Sequence, residues 1–205
     1  MLFDDGDEDL DDSGEAEDVY VEEGRDHELE NDEIEGREYG FMRGYEESQN
    51  TKLVRNFEIQ TLDVTSPAFK EGEMIPAKYT CEGKNISPEI NVERIPKEAV
   101  CLAVMMEDLN TKPLFTHWIA WNLLTDPKII EDTVDGLQGD NSYDEEGYRG
   151  PCPPKGETHR YQLSVYALNA NLDLDRETEI SIVKSEIKEH IVAYGSITGE
   201  YRRKQ

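Results

Sequence analysis

Apolar and polar residues alternate with a period of two in several stretches from about residue 57 onward. FEIQTLDVTSPAF (57–69) and HRYQLSVYAL (159–168) show this alternation, which is typical of strands with one buried face. AVCLAVMME (99–107) is a continuous apolar run of strand length, and FTHWIAWNLL (115–124) is rich in aromatic and branched residues. The pattern predicts a mainly β fold.

Turn-forming clusters separate these predicted strands. They are CEGKN (81–85), DLNTKP (108–113) and GDNSYDEEG (139–147), and their spacing favours a β-sandwich or a related β-rich fold. Near the end, ISIVKSEIKEHIVAYG (180–195) carries Ile187, Ile191 and Tyr194 at helical spacing, with Gly195 as a C-terminal stop. This stretch predicts a peripheral helix.

Charge divides the chain into two parts. Residues 1–56 contain 21 Asp and Glu against 5 Lys and Arg, a net charge of −16, and the remaining 149 residues carry −10. Few aromatics and many like charges predict that residues 1–33 are disordered. We therefore expect an acidic leader over residues 1–56 and a folded domain over residues 57–205.

Within the leader, glycines recur at every fourth position. Gly36, Gly40 and Gly44 are in phase with Gly24, so they would line one side of a helix and permit close approach of a partner helix. Glycine also weakens helices, so a largely unstructured segment is the alternative. The run IEGREYGFMRGYEES resembles the glycine repeat of a eukaryotic adaptor family that helps deliver iron-sulfur clusters to an ABC protein.

The acidic balance argues against nucleic acids and anionic membrane surfaces as partners, because both are bound through Lys and Arg. No run of 18 apolar residues is present, and MLFDDGDEDL is unlike a signal peptide, so we expect a cytoplasmic protein without an integral membrane segment. Cys101 lies in an apolar run and is predicted to be a small buried hydrophobe. Cys81 and Cys152 lie in loops, where reduced thiols are expected in the cytosol and a disulfide is the alternative.

The stretch GPCPPKGETHRY (150–161) indicates a shaped loop, because its prolines suit neither a helix nor a central strand. His117 and His159 lie in strand-like segments, and Asp108 ends the most apolar strand. A nearby carboxylate orients an imidazole and raises its pKa, so both histidines are predicted to be cationic donors. With the Tyr161 hydroxyl and backbone N–H groups of the loop, they would form a receptor for phosphate or carboxylate.

Three other interpretations of these polar residues stay open. Each of these two histidines could be a hydrogen-bonded residue at a sheet edge, and His27 and His190 are most simply surface groups. Two imidazoles and Asp108 could bind a metal ion, but no further ligand cluster accompanies them, so we predict no metal and no cofactor. An Asp108–histidine acid-base pair, or Cys152 as a nucleophile, would make a hydrolase, although GxSxG and HExxH are absent.

Several segments together resemble the phosphatidylethanolamine-binding protein family, in its bacterial and archaeal Raf kinase inhibitor-like branch, over residues 57–205. They are SPAFKEGEMIPAKYTCEGKNISPEI, THWIAWNL, NSYDEEGYRGPCPPKGETHRYQLSVYAL and ITGEYRR. The resemblance implies a Greek-key β-sandwich with a few peripheral helices and a small cavity for phosphate-like anions or phospholipid head groups. It places the pocket residues at Asp108, His117, Gly150, Cys152, Pro153, Pro154, His159 and Tyr161.

One departure from the family pattern falls in the loop after the central strand. The family usually has DPDAP, whereas this chain has DLNTK (108–112), with Asn110 in place of the second acid. We expect a less negative rim, and a looser loop because the two prolines are missing.

The function that follows is a non-enzymatic binding or regulatory protein for a small phosphorylated or carboxylated ligand. The resemblance also implies inhibition of a kinase or a protease. The alternatives are the hydrolase described above and an adaptor that acts through its acidic leader.

Overall fold

The computed structural model describes residues 59–204, which form two β-sheets and one α-helix. The strands are β1 (Gln60–Thr61), β2 (Asp63–Thr65), β3 (Ile90–Glu93), β4 (Cys101–Asp108), β5 (Phe115–Leu123), β6 (Lys128–Ile129), β7 (Leu137–Gln138), β8 (Thr158–Leu168) and β9 (Ile191–Arg202). Helix α1 spans Ile180–His190, and a short 3-10 helix spans Ala77–Tyr79. The acidic leader and its glycine repeat lie outside the described residues.

The two sheets pack face to face as a β-sandwich. The larger sheet has the strand order β1-β9-β8-β4-β5-β7, and the smaller has the order β2-β3-β6. All pairs are antiparallel except β1 with β9. Strands distant in sequence, such as β4 and β8, are neighbours in space. The prediction of a mainly β sandwich is confirmed.

Strand β4 is buried on both faces because the large sheet is covered on both sides. Leu102, Val104 and Met106 pack between the sheets with Ile90 and Val92 of the small sheet. The alternate residues Ala103 and Met105 face the other way and pack with Val183 and Ile187 of helix α1. This double cover explains why the β4 sequence is continuously apolar instead of alternating.

The predicted helix over residues 180–195 is wrong in its second half. Helix α1 ends at His190, and Ile191 begins the long strand β9, which pairs with β8 from Ile191 opposite Leu168 to Arg202 opposite Thr158. The ladder with β8 overrides the local helical spacing of Ile191 and Tyr194. Gly195 does not end a helix, and its position is set by close packing, because a Cβ there would lie 2.4 Å from the carbonyl oxygen of Leu62.

One cysteine is a free thiol and the other two form a disulfide bond. Cys101 is buried, as predicted. Cys81 and Cys152 form a disulfide bond across 71 positions of sequence, so the expectation of reduced thiols is wrong for this pair. The reason is local packing, since Cys81 N–H donates to the carbonyl of Pro151 at 3.2 Å and brings the two loops together. Among residues 59–204, no helix combines the length and apolarity needed to cross a membrane.

Candidate functional site

Asp108 is the last residue of β4 and lies directly opposite Tyr161 of β8 and Phe115 of β5. Residues directly opposite in an antiparallel pair share a face, so Asp108, Tyr161 and His159 all project on the side of the large sheet that faces the small sheet. The carboxylate Oδ2 of Asp108 lies 2.6 Å from Nδ1 of His159, and Asp108 is fully buried. The structure therefore brings the predicted acid and the second predicted histidine into direct contact.

The second carboxylate oxygen of Asp108 holds the loop that follows it. Oδ1 accepts the N–H of Asn110 at 2.8 Å, and Oδ1 of Asn110 accepts the N–H of Arg160 at 2.8 Å. Thr111 adds two bonds, donating to the Asp108 carbonyl at 3.1 Å and accepting the Phe115 N–H at 2.8 Å. The loop expected to be looser without prolines thus has side-chain hydrogen bonds at both ends. Asp108 thus holds both His159 and this loop through hydrogen bonds.

The surroundings of His159 raise the pKa of its imidazole and so favour the cationic form. Burial of its ring lowers the imidazole pKa, but the hydrogen bond and the negative charge of Asp108 outweigh this cost. Glu157 contributes in the same direction, with Oε2 at 3.3 Å from Nε2. The net result is a pKa above the ordinary value of histidine, so the prediction of a cationic donor agrees with the surroundings of this residue.

His117 reaches the same region through a β-bulge in β5. The pairing of β4 with β5 passes from Met106 opposite Trp118 to Glu107 opposite Thr116, which leaves His117 as the extra residue. A bulge redirects a side chain, here away from the helix side of the sheet. The His117 ring consequently meets the Tyr161 ring edge-on at a centroid distance of 5.3 Å. The His159 ring is stacked with the Tyr161 ring at a centroid distance of 6.4 Å.

His117 differs from His159 in charge. Its Nδ1 lies 2.8 Å from the carbonyl oxygen of Arg149, which can only accept, so Nδ1 carries the proton. Full burial lowers the pKa of this imidazole to about 4, although the Arg149 carbonyl and Asp108 oppose the shift. The prediction of two cationic imidazoles is therefore wrong. The raised pKa of His159 favours its cationic form, whereas His117 is neutral because its hydrogen-bond partner is a carbonyl group and its surroundings exclude water.

The proline-rich loop connects the positions of the two histidines. At its start, the N–H of Arg149 donates to the His117 carbonyl at 2.9 Å. At its end, the Glu157 N–H donates to the Pro154 carbonyl at 3.0 Å, two residues before His159. The prolines of the loop, including Pro153 beside Cys152, are buried or partly buried. The loop thus begins at one imidazole and ends at the other.

Gly150 and Cys152 occupy distinct places in this loop. Gly150 N–H donates to Oδ1 of Asn85 at 2.7 Å, and a Cβ on Gly150 would lie 2.1 Å from the Tyr79 carbonyl oxygen, so only glycine fits. Cys152 is held by its disulfide to Cys81. A disulfide sulfur carries no thiolate, so the alternative of a Cys152 nucleophile does not apply.

Three residues at the site were not predicted from the sequence. Glu157 is two positions before His159 and so shares its face, a period-two signal that could have identified it. Arg149 acts through its carbonyl and Asn85 through a distant loop, and neither leaves a sequence pattern. In the described part of the chain, no group of three or more His, Cys, Asp or Glu side chains is placed to hold a metal ion.

Comparison with known proteins matches this chain to one family. The family model "Phosphatidylethanolamine-binding protein" matches residues 65–202. A UPF0098 protein of Aquifex aeolicus is 37% identical over 169 residues, which cover 74% of this chain and 97% of that protein. A UPF0098 protein of Pyrococcus abyssi is 36% identical over 151 residues, covering 68% of this chain and 84% of that protein.

Solved structures agree in fold. A phosphatidylethanolamine-binding protein homologue of Chlamydia trachomatis aligns with a TM-score of 0.65 and 32% identity, over 70% of this chain and 99% of that one. Escherichia coli YbcL, described as a member of the mammalian PEBP family, aligns with a TM-score of 0.65 and 28% identity, over 70% and 99% of the two chains.

Proposed function

The chain belongs to the phosphatidylethanolamine-binding protein family, and from this premise we propose that it is a binding protein for a small phosphate-like anion. The anion site is defined here as Asp108, His117, His159 and Tyr161 together with the loop at residues 150–157. Free phosphate and a phospholipid head group such as phosphoethanolamine share the chemistry that this site would recognise.

The observation that carries the proposal is the buried contact between Asp108 and His159. Both carboxylate oxygens of Asp108 accept hydrogen bonds inside the protein, at 2.6 Å from His159 Nδ1 and at 2.8 Å from the Asn110 N–H. The acid would therefore repel an anion less than its charge suggests, while it raises the pKa of His159. A hydrogen bond from a charged donor contributes about 1.5–3 kcal/mol, so a few such contacts suffice for micromolar to millimolar affinity.

His117 supports a narrower ligand class. A neutral imidazole with its proton on Nδ1 carries a lone pair on Nε2 and accepts hydrogen bonds there. A ligand that contacts both histidines would replace Glu157 as the acceptor at Nε2 of His159 and would donate to His117. Hydrogen phosphate and phosphomonoesters that carry a proton meet both conditions, and phosphoethanolamine also offers ammonium donors.

The loop would supply further donors without a large ordering cost. Its conformation is fixed by prolines, by the Cys81–Cys152 disulfide and by the close fit of Gly150. The Cys152 N–H donates to no acceptor among residues 59–204, and it lies in the loop between the two histidines. We propose it as a backbone donor to the anion.

Two more specific expectations accompany this proposal: inhibition of a kinase or a protease, and a cytoplasmic location. Inhibition of a protein kinase or a protease would require a protein partner, and saturating the anion site with phosphate should weaken that inhibition if the site takes part in it. A cytoplasmic location also stays a prediction. The Cys81–Cys152 disulfide bears on it, because such bonds are rare in the cytosol of most cells.

Titration with phosphate, followed by the imidazole resonances of the full chain, tests the proposal. We expect the His159 and His117 signals to shift with a micromolar to millimolar dissociation constant, while His190, at the end of helix α1, stays unchanged. His159→Gln should weaken binding, and His190→Gln is the matched control. A wild-type protein whose His159 and His117 signals do not move at millimolar phosphate or phosphoethanolamine would remove this function.

A further inference from the structure

A lysine on helix α1 reaches the strand pair that carries the anion site, from the opposite side of the sheet. Nζ of Lys184 lies 2.7 Å from Oε1 of Glu107 and 3.0 Å from Oγ1 of Thr116. Glu107 is 5% exposed and Thr116 is 1% exposed, so the contact is largely removed from solvent. Among residues 59–204, Lys184 is the ion-pair partner of Glu107, and loss of the partner of a buried carboxylate is strongly destabilising.

The two residues that Lys184 contacts are adjacent in sequence to two residues of the anion site. Glu107 precedes Asp108 on β4, and Thr116 precedes His117 on β5. Glu107 and Thr116 are also opposite each other across the two strands, at the first pair after the bulge. Lys184 therefore bonds both members of the pair that sets the register beyond the bulge.

That register decides where His117 points. Regular pairing continued from Met106 opposite Trp118 would place Glu107 opposite His117, and the imidazole would face helix α1. The bulge places Thr116 opposite Glu107 instead and leaves His117 beside Tyr161. A donor that binds Glu107 and Thr116 together favours the bulged register over the regular one.

We propose that Lys184 is a positioning residue for the anion site, acting through Glu107 and Thr116 to hold the bulge that presents His117. The effect of Lys184 on the orientation of His117 is inferred from the observed contacts alone. Its effect on ligand affinity depends in addition on the proposed function. Helix α1 is thus a support for the anion site on the far side of the sheet, in addition to covering the apolar residues there.

Substitution of Lys184 in the full chain tests this role with two separate measurements. The first is the imidazole spectrum of His117 without ligand, where the Nδ1–H tautomer and the ring-current shift from Tyr161 report the bulged register. The second is the dissociation constant for inorganic phosphate. The variants are Lys184→Met, Lys184→Arg as the conservative change, and the double variant Glu107→Gln with Lys184→Met, which leaves no unpaired charge.

The control is Lys128→Met, which removes the same charge from an exposed ion pair with Glu89 at 2.9 Å on the small sheet. We expect Lys184→Met and the double variant to shift or broaden the His117 signals and to weaken phosphate binding roughly tenfold, about the effect of one hydrogen bond. Lys184→Arg should restore most of both, and Lys128→Met should change neither.

The double variant decides the outcome if Lys184→Met is too unstable to study. A folded double variant with the wild-type His117 spectrum would overturn the positioning role, whatever its stability. If the wild-type protein binds no phosphate, the proposed function fails, but the His117 spectrum of the variants still tests the role of Lys184. An altered spectrum with unchanged phosphate affinity would overturn the link to binding.

Discussion

Nδ1 of His159 lies 2.6 Å from Oδ2 of Asp108, although the two residues are 51 positions apart in sequence. Strand register makes this contact, because Asp108 is opposite Tyr161 and His159 is the next residue on that face of β8. The bond couples the charge of His159 to the acid at the end of β4. Anion binding at this site should therefore depend on Asp108 even though Asp108 is itself negative.

Asp108→Asn should weaken phosphate binding, because the loss of the carboxylate removes the charge that favours a protonated His159. Burial of the ring then acts without that opposing charge, so the pKa of His159 should fall below its wild-type value. We expect roughly tenfold weaker binding at pH 7.5 and a smaller difference at pH 5.5, where His159 is more easily protonated. Imidazole titration by NMR and phosphate calorimetry measure the two effects.

Asp126→Asn is a suitable control for this experiment, because Asp126 accepts a backbone N–H from Lys128 at an exposed turn. It removes one negative charge far from β4. Stronger phosphate binding in Asp108→Asn than in the wild-type protein would mean that Asp108 acts mainly by repelling the anion, contrary to the orienting role inferred here.

Buried His117 should make the protein less stable as the pH falls from 6.5 to 4. Its folded-state pKa is about 4 against 6.5 in the unfolded chain. The unfolded state therefore binds the extra proton in this window, and the stabilisation that is fully present above pH 6.5 is lost as pH falls. The difference corresponds to about 3 kcal/mol in the free energy of unfolding.

Urea unfolding of the wild-type protein and of His117→Gln at pH 7.5 and pH 5 checks this effect. The variant should lose less stability than the wild-type protein between these two values, because it lacks the titrating ring. His190→Gln, at the end of helix α1, should behave like the wild-type protein. Equal pH dependence in all three would show that folding does not lower the pKa of His117.

Local patterns in the sequence predicted the strands that pack on one another but not the complete topology. The runs 99–107, 115–124 and 159–168 correspond almost residue for residue to strands β4, β5 and β8. Their apolar side chains are buried on one or both faces of the large sheet. Strand β9 was missed in part because Ile191 and Tyr194 also fit a helical period. Its pairing with β8, along its whole length, is a long-range interaction that no local window contains.

The candidate site shows a similar division. The sequence pattern placed Asp108 at a strand end and put His159 and Tyr161 on one face of a strand, but only the family resemblance implied that they meet. The charge of His117 could not be predicted from the sequence. It depends on a bulge and on the Arg149 carbonyl, and neither of these has a residue-type signature. The sequence also could not decide between the disulfide and reduced thiols, because cysteine spacing alone does not reveal that two loops 71 positions apart are packed together.

The Cys81–Cys152 disulfide should be detectable by counting thiols. The chain has three cysteines, so denatured protein kept under non-reducing conditions should expose one thiol, that of Cys101, and reduced protein should expose three. Because the bond closes a loop of 71 residues, its removal in Cys81→Ala with Cys152→Ala should lower the free energy of unfolding by about 4 kcal/mol. Three reactive thiols in unreduced protein would contradict the bond.

Gly150→Ala should destabilise the loop that joins the two histidines. The added Cβ would lie 2.1 Å from the Tyr79 carbonyl oxygen and within 2.9 Å of the Thr80 Cα, and both are backbone atoms that cannot rotate away. We expect a loss of about 1–3 kcal/mol in the free energy of unfolding, measured by urea denaturation. Lys155→Ala, at an exposed position of the same loop, should be nearly neutral. A neutral Gly150→Ala would show that the loop shifts readily.

Phosphate should bind more tightly than sulfate at pH 7.5, because the two anions then have nearly equal charge but only phosphate carries a proton to donate. Neutral His117, whose Nδ1–H donates to the Arg149 carbonyl, can accept a hydrogen bond from the proton of phosphate at Nε2, and sulfate has no such proton to donate. We expect a preference of roughly tenfold or more at matched ionic strength. His117→Gln, whose amide can turn to donate or accept, should reduce that preference. Equal affinity of the wild-type protein for both anions would mean that His117 does not accept a hydrogen bond from the ligand.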